Sequence, residues 1–120
     1  MLINLSNHPS SLWAENQLLA AAVYGDIIDL PFPAVDPSGD ENDIEKLADE
    51  YIGKIAELSK GAEVTVHLMG EMTFTFSLLC RLRDRGIVGI ASTTNRMVVE
   101  SIPGHKETTF RFERFRKYRY

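Results

Sequence analysis

Three polar stretches carry the residues with which this chain could do chemistry. Ser92-Thr93-Thr94-Asn95-Arg96 leaves an apolar run, and hydroxyls and an amide followed by arginine suit a phosphate group. Asn7-His8-Pro9-Ser10-Ser11 forms a second stretch. There His8 is placed either for acid–base work near neutral pH or for holding its loop through a hydrogen bond to a carbonyl. The third is Gly70-Glu71-Met72-Thr73, where a β-branched run stops at glycine and a helical pattern begins. Glu71 is suited to accept hydrogen bonds from a ribose or an adenine amino group, or to sit as favourable charge at a helix N-terminus.

Other chemistries lack their residues. No glycine fingerprint of dinucleotide binding follows the first apolar run, and there is no phosphate loop with its lysine. One cysteine and three dispersed histidines offer no zinc set, and no Gly-x-Ser-x-Gly elbow occurs. The acidic cluster in residues 34–43 lacks the ligand spacing of a calcium loop and reads as an acidic helix start. We therefore expect neither cofactor nor metal. Cys80, inside a helical apolar pattern, reads as a small buried hydrophobe. His67 is expected to be packed within a strand, and His105 to lie exposed in a turn.

The elements that must position these residues follow from periodicity. Met1–Ser6 reads as a short buried strand, and the spacing of Leu12, Leu18, Leu19, Ala22 and Val23 predicts a helix over about Ser11–Tyr24. Ser10 or Ser11 would cap it, Gly25 would end it, and Trp13 would anchor it to the loop or stack on a base. Asp26–Pro33 is a second strand running into prolines, hence short or at an edge. The stripe Ile44, Leu47, Ala48, Tyr51, Ile52, Ile55 and Leu58 predicts a helix over about Asn42–Lys60. Strand Glu63–Met69, helix Thr73–Arg85 and strand Ile87–Ala91 follow, with the polar Ser92–Arg96 segment as an exit loop. Met97–Ile102 and Thr108–Phe115, separated by Pro103-Gly104-His105-Lys106, read as a terminal antiparallel hairpin, with Phe115 breaking the alternation at a bulge or strand end.

Alternating strands and helices predict an α/β fold with right-handed crossovers: a parallel sheet of order 2-1-3-4 covered by three helices, the hairpin extending its fourth-strand side. In such a sheet ligands bind beyond the carboxyl ends of the strands, where connections diverge to opposite faces. Asn7-His8 and Gly70-Glu71 should then meet across one crevice, with Ser92–Arg96 beside them.

Composition sets the outer bounds. The 120 residues suit one domain, 1–120, and 44% hydrophobic with 25% charged residues is ordinary for a globular protein. No run is apolar enough for a membrane helix and the start lacks a signal peptide's pattern, so a cytoplasmic protein is expected. The net charge of −4 conceals a division: residues 81–120 contain every arginine, with 10 basic and 4 acidic side chains, against 3 and 13 in residues 1–80. Those arginines either line solvent faces or meet an anionic ligand.

The Leu5-Ser6-Asn7-His8-Pro9-Ser10 start, the Met69-Gly70-Glu71-Met72-Thr73-Phe74 corner and the Ala91-Ser92-Thr93-Thr94-Asn95-Arg96 exit, in so small a chain, resemble small CRISPR-associated Rossmann-like (CARF-like) proteins. Among these are the stand-alone ring nucleases of type III systems. The resemblance implies a cyclic oligoadenylate ligand, its metal-independent cleavage to linear products, and a homodimer whose two crevices match the ring's symmetry. On that reading Arg96 and amides at the starts of the first and third helices bind phosphate. Ser10 or Ser11 and Thr93 orient it, and His8 gives or takes a proton. Two other classes stand beside it: a nucleotide-sensing module without turnover, and a dimeric scaffold whose basic hairpin contacts RNA or an acidic protein. Alternating core and solvent faces also account for the interleaved Phe and Arg of that hairpin.

Overall fold

The computed structural model describes residues 1–120. Five strands form one mixed sheet in the order β2-β1-β3-β4-β5, comprising β1 Leu2–Ser6, β2 Ile27–Asp29, β3 Thr65–Met69, β4 Val88–Ile102 and β5 His105–Lys117. The first four are parallel and β4–β5 is an antiparallel hairpin, as the alternation of elements requires. Helices α2 Glu41–Ser59 and α3 Met72–Asp84 cover one face, and α1 Glu15–Ala21 lies on the other. None of them is long and apolar enough to cross a membrane.

Strand alternation divides the interior in two. Ile3, Leu5, Val66 and Leu68 point to the α2/α3 side, where they meet Ile52, Ile55, Leu78 and Leu82. Phe74 is fully buried at its centre, with Phe32 and Tyr51 set edge-on at 5.3 and 5.4 Å. Outside this core Arg81 of α3 donates to Glu45 at 2.7 Å and Asp49 at 2.8 Å on α2, a planar fork joining the two helices. The opposite face holds a smaller cluster of Leu2, Trp13, Ala21, Ile90, Phe112 and Phe115.

Three expectations need correction. The helix expected over Ser11–Tyr24 is split into a 3-10 turn Ser10–Leu12, an extended step at Trp13-Ala14, the seven-residue α1, and a second 3-10 turn Ala22–Tyr24. The cause is Trp13, whose buried indole packs edge-on to His67 at 5.3 Å and donates to the His8 carbonyl, a position a continuous helix would deny it. Neither Ser10 nor Ser11 therefore caps α1, whose N-cap is Ala14 with no side-chain bond. The second strand, by contrast, is short and at an edge as expected: it stops at Asp29 beside β1, because Pro31 and Pro33 have no N–H for the ladder.

The third correction concerns Ser92–Arg96, which is no loop. It lies inside β4, a single 15-residue strand that leaves the parallel sheet after Ile90 and continues as the first arm of the hairpin. Residues 94–111 are all exposed, so an antiparallel ribbon projects from the core with solvent on both sides. The polar run Thr94–Arg96 suits that exposure, while Met97, Val98, Val99, Ile102 and Phe110 are exposed on the same ribbon. Phe110 is accordingly exposed and Phe112 buried, whereas alternation alone would bury both. A register shift between Thr93 and Thr94 leaves Glu113 unpaired, which lets Phe112 and Phe115 both turn inward.

Candidate active site

The connection after β1 passes to the α1 face and that after β3 to the α2/α3 face, so neighbouring strands part at their carboxyl ends. A cleft of about 540 Å³ opens there. It collects Asn7, His8, Gly70, Ser92 and Thr94 from the three expected stretches, and adds Ser6, Trp13, His67 and Phe112. No carboxylate lines it.

The remaining candidates lie elsewhere. Ser10 donates its hydroxyl to Asp29 at 2.8 Å, and Ser11 is exposed in the 3-10 turn. Glu71 is the N-cap of α3: it accepts from the amides of Thr73 and Phe74 at 2.9 and 2.8 Å, and from the Thr73 hydroxyl. Those bonds, Phe74's first, hold its carboxyl below the usual range. The first amides of α3, expected to bind phosphate, are thus already engaged. Thr93 points away from the cleft and bonds the Arg114 backbone, while Asn95 donates to Glu113. Arg96 pairs across the ribbon with Phe110, two positions beyond Thr94 on the same side of β4.

Gly70 is needed for close approach. A Cβ there would collide with the Phe32 ring, itself set edge-on against Phe74. Gly70→Ala should therefore cost about 1–3 kcal/mol through overpacking, read as a lowered denaturation midpoint. An unchanged midpoint would refute the contact.

The floor of the cleft holds what the sequence reading missed. Register places Asp29, Asn4 and His67 in one row across β2, β1 and β3. The Asn4 amide nitrogen donates to Asp29 Oδ1 and to the His8 carbonyl, both at 2.8 Å. Since neither partner can donate in return, the amide can be oriented only one way. Asn4 Oδ1 then faces His67 Nδ1 at 2.9 Å, so Nδ1 must carry the hydrogen. His67 Nε2 is left with its lone pair, and Ser92 Oγ, 3.2 Å away, donates to it. The tautomer of His67 is thus set from two strands away.

Asn4 and His67 are each only 2% exposed. Burial lowers the His67 pKa to about 4. At Asp29 burial pushes upward, but bonds from Asn4 and Ser10 outweigh it and leave the carboxyl below its ordinary value. At neutral pH the row is therefore carboxylate, amide, neutral imidazole and hydroxyl. A buried polar row of this kind persists only when every member is satisfied.

The His67 shift has a consequence for stability. Its folded pKa lies below the ordinary 6.5, so the unfolded chain binds the proton more readily. The contribution, about 3 kcal/mol, is complete above pH ~6.5 and is lost as pH falls toward ~4. Urea unfolding between pH 7 and 4.5 should show this slope, and His67→Gln should flatten it. An equally steep slope in the variant would show that other groups cause it.

A signal for the row was present in the sequence. Asn4 in Leu-Ile-Asn-Leu-Ser and His67 in Val-Thr-Val-His-Leu are polar residues inside apolar strands expected to be neighbours. In comparisons with known proteins, a model described as "Uncharacterized protein MJ1673 family" matches residues 1–116. No curated protein and no solved structure matches the chain.

Proposed function

Starting from the fact that this chain belongs to the MJ1673 family, we propose that it binds cyclic oligoadenylate in the cleft between β1 and β3 and cleaves it without a metal. The observation that carries this reading is the meeting of Asn7-His8, Gly70 and Ser92/Thr94 at one switch point, in a cleft with hydroxyls, amides and imidazole but no carboxylate. A polyanion would be repelled by acidic groups there, and nucleotide bases would find stacking surface on Phe110, which is 69% exposed at the rim. The cleft lies within the roughly 300–1,000 Å³ of small-molecule sites, room for part of such a ring. A homodimer with two facing clefts would hold the rest. The same reading gives a ring nuclease acting in the cytoplasm to switch off type III CRISPR signalling.

The chemistry asks for geometry more than for reactive groups. A ribose 2′-hydroxyl attacks the adjoining phosphorus in line, and the departing 5′-oxygen takes a proton. His8, held by its carbonyl to Asn4 and Trp13 with its imidazole exposed at the mouth, is placed to supply that proton. Arg96 lies outside the cleft, two positions beyond Thr94 on β4, and on this reading its guanidinium would have to reach back to the phosphate.

Labelled cyclic tetra- and hexa-adenylate incubated with purified protein under EDTA should give linear products ending in a 2′,3′-cyclic phosphate. His8→Ala and Arg96→Ala should slow their appearance. Intact substrate with unmutated protein would remove the enzymatic reading. One observation favours a sensing module instead: Arg96 does not line the cleft, so no guanidinium stands beside a bound phosphate. Tight binding without turnover selects that reading, and salt-dependent RNA affinity with no response to small nucleotides selects an RNA-binding hairpin.

A further inference from the structure

The geometry points to Ser92 as the group that takes the proton from the attacking 2′-hydroxyl, passing its own to His67 Nε2. This rests on the ring-cleaving reading and names the base within it.

Ser92 is the one hydroxyl in the cleft wall backed by a bare imidazole nitrogen. Its Oγ lies 3.2 Å from His67 Nε2 and 3.1 Å from Met69 Sδ. A thioether is a weak acceptor, so the hydroxyl hydrogen goes to nitrogen and the oxygen lone pairs are left to receive a substrate proton. Behind Nε2 the arrangement resists rotation or tautomer change, because Nδ1–H is committed to Asn4 Oδ1 at 2.9 Å and Asn4 in turn to Asp29. Trp13 at 5.3 Å and Phe115 at 5.5 Å stand edge-on to the ring and fix its plane.

In the step itself the 2′-oxygen forms a bond to phosphorus as the bond from phosphorus to the 5′-oxygen breaks. The 2′-hydroxyl proton moves to Ser92 Oγ while the Ser92 proton moves to Nε2. His8, as imidazolium, protonates the departing 5′-oxygen. The ring opens to an isomer with one cyclic phosphate and one 5′-hydroxyl, consuming no water. Afterward His67 returns its proton through Ser92, and both histidines re-equilibrate with solvent.

His67 thus acts through Ser92 as a positioning and relay residue, and no charged side chain packs directly on it. Its surroundings are Trp13, Phe115 of β5, Asn4 of β1 and Ser92 of β4, with Asp29 of β2 reached only through Asn4. At neutral pH the imidazole is present as free base, ready to accept.

The test uses the full chain with cyclic tetra-adenylate under EDTA, following kcat, KM and ligand affinity. Ser92→Ala and His67→Gln should each lower kcat about 100-fold or more, with affinity within about threefold, since positioned acid–base groups contribute roughly 10²–10⁴. Ser92→Thr, which keeps a hydroxyl, should retain most of the rate. The unmutated protein should lose kcat as pH falls through about 4, and the residual rate of His67→Gln should lack that limb. Cleavage by Ser92→Ala at the unmutated rate, or an unchanged acid limb in His67→Gln, overturns the assignment and leaves the ring-cleaving reading standing. No cleavage by the unmutated protein overturns both. Unchanged affinity in the variants shows that they are folded.

Discussion

Asn4→Ala is expected to destabilise the protein by about 3 kcal/mol, far more than the loss of one small side chain would suggest. The side chain bonds Asp29, the His8 carbonyl, Ser6 and His67 in a site with almost no access to water. Truncation leaves Nδ1–H of a buried imidazole without an acceptor, and buried orphans cost more than the bond itself contributed. The loop at His8 also loses one of its ties, so under the proposed function affinity for cyclic tetra-adenylate should fall together with the denaturation midpoint. A urea titration at pH 7 measures the first and a thermal-shift series with cyclic tetra-adenylate the second. Stability within about 0.5 kcal/mol of the unmutated protein would mean that the row is not satisfied as described.

Phe74→Ala should be larger still, about 4 kcal/mol, out of a total of roughly 5–15 for a domain of this kind. Phe74 is fully buried where α3 meets the sheet, and its ring is gripped edge-on by Phe32 and Tyr51. Phe32 comes from the proline-rich segment after β2, which has no strand ladder of its own to hold it. Losing the ring empties the centre of the core and frees that segment as well. The expected readout is a fall in melting temperature on the order of 15 °C with retained helical circular dichroism at low temperature. A shift of only two or three degrees would show that Phe32 and Tyr51 close over the void.

These two residues mark how much could be read in advance. Phe74 sits in a helical stripe whose burial follows from periodicity alone, and the same logic yielded α2, α3, the strand order and the terminal hairpin. Asn4 and His67 obeyed a period of two that was equally visible. Their meaning depended on a register between segments 63 residues apart, which no local pattern specifies. Trp13 misled in the other direction: apolar spacing around it fits a helix, yet burying its indole beneath the His8 loop outweighed helix propensity over one turn. Ser92–Arg96 misled because a polar run reads as a loop, yet a strand that lines a cleft at Ser92 and is open to water from Thr94 onward carries polar side chains as well.

The sequence by itself determined the architecture and the edge of the sheet where chemistry would be sought. Hydrophobic periods and the handedness of crossovers allow few alternatives once the elements are in order. Tertiary structure alone decided which polar groups face one another there. It turned Glu71 to its own helix, Ser10 to Asp29 and Thr93 to Arg114, and brought Asn4, His67 and Ser92 into line. The reason is directional: burying apolar surface depends on area and tolerates small displacements, whereas a hydrogen bond needs its partner within a few tenths of an ångström and at the right angle. That placement is set only when distant segments have docked.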